Sequence, residues 1–326
     1  TTLRDLRMRV LIVTPAPPRS TKGNRITADR WARILRSLHH RVTVATSLVD
    51  GRFDLLLALH ARKSGSAIRR FRRRFPDRPI ILALTGTDLY KDIRTSQRAQ
   101  ESLAAADRLI VLQPAGAAAL PARFRPKTRV ILQSVAPRAA RPKSARAKTF
   151  DVCLLGHLRS VKDPFRTALA ARHLAPDSRI RVLHLGAALT ESYARRARRE
   201  EAINPRYHWL GGVPRAKAMR LLASCRVLVL SSRMEGGANV IGEAIVHRVP
   251  VLSSHIPGSV GLLGEDYSGY FRFRDTAALA ALLRRAEKDA AFLGDLRRRC
   301  AALAPLFRPA AERVAWRGLL REIRAS

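Results

Sequence analysis

Two carboxylates carry the strongest chemical signal in this chain. In Ser231–Gly258 (SSRMEGGANVIGEAIVHRVPVLSSHIPG), Glu235 and Glu243 stand with seven residues between them. The first falls in a loop after an apolar strand and the second near the start of the next helix. Gly236 and Gly237 between them let the backbone approach a ligand closely, with Ala238 and Asn239 leading into the helix. The amides and dipole of a helix N-terminus both favour an anion, so Gly236, Gly237, Ala238 and Asn239 form an expected diphosphate-binding turn. Glu243 is then placed to accept hydrogen bonds from two ribose hydroxyls, and Glu235 to reach sugar hydroxyls beyond the diphosphate.

The first half of the chain offers loops suited to a second anionic reactant. Pro15–Asn24 (PAPPRSTKGN) follows the first strand, where doubly wound sheets bind ligands. Gly23 permits close approach, and Lys22, Asn24 and Arg25 supply donors. Thr85-Gly86-Thr87-Asp88 follows another strand; its hydroxyls and glycine amide can hold an anion, and Asp88 can act as base or orienter. His60 ends a third strand, as a ligand contact or as a satisfied core histidine, and Gln113 ends a fourth, at the cleft or as a helix cap. None of the fifteen aspartates is separated from another by a single residue, and zinc-ligand spacings are missing. The expectation is a site with no metal and no cofactor, in which arginine, lysine and helix dipoles meet the diphosphate charge.

The elements that must position these residues follow one rhythm. Met8–Thr14, Val42–Thr46, Asp54–His60, Ile80–Thr85, Arg108–Gln113 and Val130–Gln133 are nearly continuous Val/Ile/Leu runs, as strands covered on both faces are. Helical spacing over Thr27–Leu38, Ser64–Phe75 and Gln97–Ala106 alternates with them. Pro137–Thr149 has almost no bulky apolar residue and reads as a linker. The rhythm then restarts with strands at Phe150–Gly156, Ile180–Gly186, Tyr207–Leu210, Arg226–Ser232 and Val249–Ser253. Helices are expected at Pro164–Leu174, Glu191–Ile203, Lys217–Cys225 and Gly237–His247. The expected fold is α/β: two Rossmann-like, doubly wound domains, 1–136 and 150–304, facing across a cleft, with a helix in 305–326 packing back over the junction.

Composition narrows the partners. The formal charge is +37, but its 53 arginines and nine lysines are scattered along the whole chain. No aromatic interleaving or helix-turn-helix spacing accompanies them, so no specific nucleic-acid partner is expected. Such a field still attracts small anions and acidic headgroups. No run of eighteen uncharged apolar residues occurs. Residues 1–7 precede a natural-looking start at Met8 without a signal-peptide pattern, and a cytoplasmic protein with no stable membrane association is expected. The three cysteines, Cys153, Cys225 and Cys300, lack a Cys-x-x-Cys spacing and read as buried thiols.

Strand, Glu235, Gly236-Gly237 and Glu243, followed by Val-Pro-Val-Leu, resembles the Glu-x7-Glu motif of GT-B glycosyltransferases of the large retaining family. That resemblance implies that Glu243 holds the nucleotide ribose and Glu235 contacts the donor sugar. Gly156–Asp163 (GHLRSVKD) is similar to the family's Gly-x5-Lys loop, which implies that Arg159 and Lys162 neutralise the donor pyrophosphate. A departing nucleoside diphosphate gains negative charge, so fixed cations there lower the barrier. The implied catalytic set is Arg159, Lys162 and Glu235.

A narrower likeness runs from about Met8 to Ala286 through LIVTPAPPRSTKGNRITADRWARIL, LALTGTDLYKDI, FDVCLLGHLRSVKDP, LSSRMEGGANVIGEA and HIPGSVGLLGEDYSGYF. These segments resemble the selenosugar synthases of selenoneine biosynthesis. The resemblance implies selenophosphate as acceptor and a UDP-hexose, UDP-N-acetylglucosamine or UDP-glucose, as donor. Lys22, Gly23, Asn24, Arg25, Thr85, Gly86, Thr87, Asp88 and His60 would then face the acceptor. Retention or inversion at the anomeric carbon stays open. The alternatives are an O-glycosyltransferase acting on a lipid or polysaccharide at the membrane, and a basic sugar-nucleotide or nucleic-acid binding protein without chemistry.

Overall fold

The computed structural model describes residues 7–136 and 148–325. Most of the segment read as a linker and nearly all of residues 1–7 lie outside the described residues. The chain divides into two compact units, Thr1–Ser134 with Glu235–Gly237 and Pro309–Ser326, and Val135–Met234 with Ala238–Arg308.

The first unit is built on six parallel strands: β1 (Arg9–Val13), β2 (Arg41–Ala45), β3 (Leu55–Leu59), β4 (Ile80–Leu84), β5 (Arg108–Val111) and β6 (Thr128–Val130), in the order β2-β1-β3-β4-β5-β6. Alternate residues of each central strand feed opposite faces, which is why the runs read as continuously apolar. Leu56, Leu82 and Leu109 pack with Ile68 and Phe71 of the helix Gly65–Arg74. Leu55, Leu57 and Ile81 pack on the other face with Trp31 of the helix Gly23–Ser37 and Trp316 of the helix Pro309–Ala325. The two indoles meet edge to face at 5.0 Å and are fully buried. Each contributes about 5 kcal/mol of apolar burial before entropy is counted. Buried Glu312 pins this helix: its Oε1 accepts from Trp31 Nε1 at 2.7 Å, and its Oε2 from the Ser134 amide at 2.8 Å.

The second unit repeats the plan with β7 (Phe150–Leu155), β8 (Ile180–Leu185), β9 (Tyr207–Trp209), β10 (Val227–Leu230), β11 (Val251–Ser254) and β12 (Tyr270–Phe271), all parallel, in the order β12-β11-β10-β7-β8-β9. Thr190, Asp275 and Asp289 cap the helices Glu191–Ile203, Thr276–Lys288 and Ala290–Leu303 by accepting a backbone amide of the first turn. The fold class expected from the sequence, two Rossmann-like α/β sheets, is the one observed. Cys153, Cys225 and Cys300 are buried and unlinked. Among the described residues no helix is long and apolar enough to cross a membrane.

Candidate active site

In each sheet the strand order reverses once, and at that point the loops leaving neighbouring strands diverge and open a crevice. In the second unit the reversal lies between β7 and β10. The loops that follow these strands are Gly156–Asp163 and Ser231–Ala238, the two segments singled out by their residues. A small pocket opens there, with Gly156, Lys162, Pro164, His184, Ser231 and Ser232 in its wall.

The Gly156–Asp163 loop is tied on both sides. Ser231 Oγ donates to the carbonyls of Lys162 (3.1 Å) and Asp163 (3.0 Å), and the Arg233 amide donates to Val161 O at 2.8 Å. The Leu158 amide donates to Ala187 O at 3.0 Å, extending the β7–β8 pairing past the strand ends. Asp163 takes a left-handed conformation (φ 43°), tolerable for its short polar side chain, and its carboxylate holds Arg166 at 2.8 Å. Lys162 is half-buried beside Gly156, whereas Arg159 is exposed on an extended stretch of backbone.

His184 lies in the same wall. Its Nδ1 meets the Tyr207 hydroxyl at 2.8 Å and its Nε2 the Gly156 carbonyl at 3.2 Å. Burial pushes the imidazole pKa from 6.5 down to about 4, against the opposing pull of the Gly156 carbonyl. The ring is therefore neutral at pH 7. Above pH 6.5 it costs the fold nothing. As pH falls from 6.5 to 4 the unfolded chain gains a proton that the folded one refuses, so about 3 kcal/mol is lost. Urea midpoints at pH 7 and pH 4.5 should show a smaller difference in His184→Gln than in the parent; an unchanged difference refutes the assignment.

The structure starts the helix after Gly237 at Asn239, two residues later than the periodicity suggests, with Ala238 at the cap position. Glu243 is buried within it, 1% exposed, and its Oε1 accepts from Arg215 Nη2 at 2.6 Å. Glu235, Gly236 and Gly237 group with the first unit. A Cβ on Gly236 would overlap the Thr85 carbonyl and the Gly86 amide, and one on Gly237 would overlap the Leu112 side chain. At both positions neighbouring chain approaches closely on the side where a side chain would stand.

In the first unit the strand order reverses between β1 and β3. The loop ending at Lys22 and the turn at His60 lie there. The helix expected from Thr27 begins at Gly23, so Gly23, Asn24 and Arg25 form its first turn rather than a loop, with Lys22 exposed at the cap. Arg25 Nε holds Asp29 at 2.9 Å, while its buried Nη1 has no hydrogen-bond partner among the described residues.

Asp88 accepts backbone amides from two turns. It is fully buried, and its Oδ1 accepts the amides of Thr85 (2.9 Å) and Gly86 (2.8 Å) while Oδ2 accepts that of Ala61 (3.0 Å). A carboxylate held by three amides ties together the turns after β3 and β4. Gly86 takes φ 144°, a conformation that side chains disfavour. His60, also at positive φ (75°), is buried with Nε2 3.3 Å from Thr87 Oγ1 and 3.8 Å from Asp92 Oδ2. Burial lowers its pKa despite the neighbouring Asp88 charge. Gln113 is buried and donates to the Tyr90 hydroxyl at 2.7 Å. Arg215, His184, Ser231 and Asp92 went unread in the sequence. A polar residue inside the apolar β8 run was the one available signal, for His184. Among the described residues no cluster of three or more His, Cys, Asp or Glu side chains is placed to hold a metal ion.

Two parallel six-stranded units of this topology define the class of GT-B glycosyltransferase folds, and solved structures agree. The chain superposes on the Anabaena protein HepE, crystallised with UDP and glucose, with a TM-score of 0.76 at 16% identity, covering 97% of this chain and 100% of that one. Sucrose-phosphate synthase from Thermosynechococcus elongatus gives 0.74 at 18% identity, over 97% and 99%. Trehalose 6-phosphate synthase from Burkholderia multivorans gives 0.67 at 15%, over 83% and 70%. At these identities the likeness establishes the fold alone. No curated protein matches the sequence. The model of the family described as glycosyl transferases group 1 matches residues 137–305, more than half of the chain. The chain belongs to that family and is a glycosyltransferase.

Proposed function

We propose that the protein transfers a hexosyl group from a UDP-sugar to selenophosphate. The selenium attacks C1 of the donor, the bond from C1 to the diphosphate oxygen breaks, and UDP leaves with the electron pair. Water then cleaves the P–Se bond, giving phosphate and a 1-seleno-sugar. The observation that carries the donor half is the loop that holds the Lys162 backbone at the crevice between β7 and β10, together with a buried, ion-paired Glu243 in the helix that follows β10. Glu243 serves the ribose, Glu235 the sugar, and the amides of Gly236, Gly237, Ala238 and Asn239 the diphosphate. Arg159 and Lys162 meet the charge that grows on the leaving group. HepE has been crystallised with UDP-glucose, which supports a UDP-sugar as donor here.

The acceptor half rests on the sequence likeness to selenosugar synthases. It is supported by Lys22 at the start of the helix Gly23–Ser37 and by the unpaired Nη1 of Arg25, both suited to a small trianion. Asn24 and the Thr85–Thr87 turn add donors, with Asp88 and His60 holding that turn. Selenium is a strong nucleophile, so a neutral His60 and an amide-bound Asp88 suffice without a general base.

The test is mass spectrometry of purified protein incubated with selenophosphate and a mixture of UDP-sugars. The expected result is a product with the selenium isotope pattern and release of UDP. UDP release with no selenium product, even at saturating selenophosphate, would overturn the acceptor assignment and favour an O-linked acceptor.

A further inference from the structure

We propose that Arg215 is the positioning residue of Glu243, holding one carboxylate oxygen so that the group faces the ribose of the bound nucleotide; this rests on the donor-site reading above. A carboxylate only 1% exposed is stable in its charged form only when paired. Arg215 supplies that partner for Glu243, its Nη2 2.6 Å from Oε1. The Cys153 thiol of β7 is close enough to feel its charge, and that thiol's pKa is pushed up, first by its contact with Cys225, then by burial and by Glu243. His247, one turn on, uses Nδ1 on the backbone carbonyl of Glu243, not on its side chain.

Arg215 comes from a different element, the helix Arg215–Ser224, whose Ala218, Met219, Leu222 and Ala223 are buried. Arg215 lies three and four residues before Ala218 and Met219 and so shares their inward stripe. Pro214 fixes the backbone angle at the turn into that helix. The Arg215 side chain is 48% exposed. It reaches in from solvent and covers the carboxylate. Nη2 engages Oε1 at 2.6 Å. Each carboxylate oxygen has two lone-pair sites, so a vicinal diol can still be received across both oxygens.

An ordinary exposed ion pair contributes little, because water replaces either partner. Here one partner is buried. Truncating Arg215 leaves Glu243 either to turn toward water or to take up a proton, and each spoils it as an acceptor for ribose hydroxyls. The loss is therefore specific to the ribose, which separates this role from a merely structural one.

Calorimetric titration of the full chain with UDP and with 2′-deoxy-UDP tests this, using the parent, Arg215→Ala and Arg215→Lys. The parent should prefer UDP. In Arg215→Ala UDP affinity should fall on the order of tenfold or more, and 2′-deoxy-UDP affinity far less, so that the preference collapses. Arg215→Lys should restore most of it. Equal losses for both ligands in Arg215→Ala, or no loss, would overturn the role of Arg215 while leaving the donor site standing. Failure of the parent to bind UDP would overturn the donor reading and this inference with it.

Discussion

Gly186→Ala should lower the stability of the second unit by about 3 kcal/mol or more and weaken UDP binding at the same time. A Cβ at this position would overlap the carbonyl group of Gly156, backbone rather than a side chain that could swing away. The neighbourhood has little room to yield. The Gly186 amide donates to Gly211 O at 2.8 Å, its carbonyl accepts from Trp209 Nε1 at 2.8 Å, and the Gly156 amide donates to Leu185 O at 2.9 Å. The Gly156 carbonyl also meets His184. Since Gly156 opens the loop that carries Arg159 and Lys162, relief of the overlap must move those cations. Urea denaturation and UDP titration of the same sample give both numbers. An unchanged midpoint with unchanged UDP affinity would show that the crossing of these two glycines is not tight.

Lys162→Ala should reduce kcat by about a hundredfold to a thousandfold, with donor affinity falling much less, the expected range for removing one preorganised charge from a reacting oxyanion. The asymmetry follows from when the charge appears. The diphosphate is already anionic in the bound donor, but the oxygen that leaves C1 becomes more so only as the bond breaks. The substitution should leave the loop in place, because Ser231 and Arg233 hold backbone atoms of Val161, Lys162 and Asp163, and alanine keeps those atoms. Initial rates of UDP release at saturating donor, with the affinity for UDP-sugar measured separately, check the split. Full turnover in the variant would remove Lys162 from the catalytic set; Arg159, more exposed, should matter less.

The sheets were legible because their strands are buried on both faces: Leu55–Leu59 and Ile80–Leu84 contain nothing but apolar residues. Helix starts were less so. The helix Gly23–Ser37 shows its periodicity from Thr27 and Ala28, the first buried positions, while Gly23–Ile26 are exposed or half-buried and leave no apolar mark. Strand β12 is two residues long and draws its identity from pairing with β11, a contact that no local pattern announces. Within the site, Glu243 was legible because its spacing from Glu235 is local. Arg215 was hidden: its link to Glu243 spans 28 positions, in a chain with 53 arginines. Asp88 was visible as a polar residue after a strand, yet its three amide partners come from two separate turns that only the fold assembles.

The order of the chain has a consequence for its synthesis. The first unit receives its last piece, the helix Pro309–Ala325, after the whole of the second unit has been made. While the ribosome is adding β7 to β12, Trp31, Leu55, Leu57 and Ile81 have no Trp316, Leu319 or Leu320 to lie against. The nascent first unit must therefore carry an uncovered apolar face until that helix emerges, a period in which chaperone protection is of greatest use. Completion then requires closing a long loop, whose entropic cost grows only with the logarithm of its length. Emergence of the helix Pro309–Ala325, rather than completion of the first sheet, is the event that finishes the first unit.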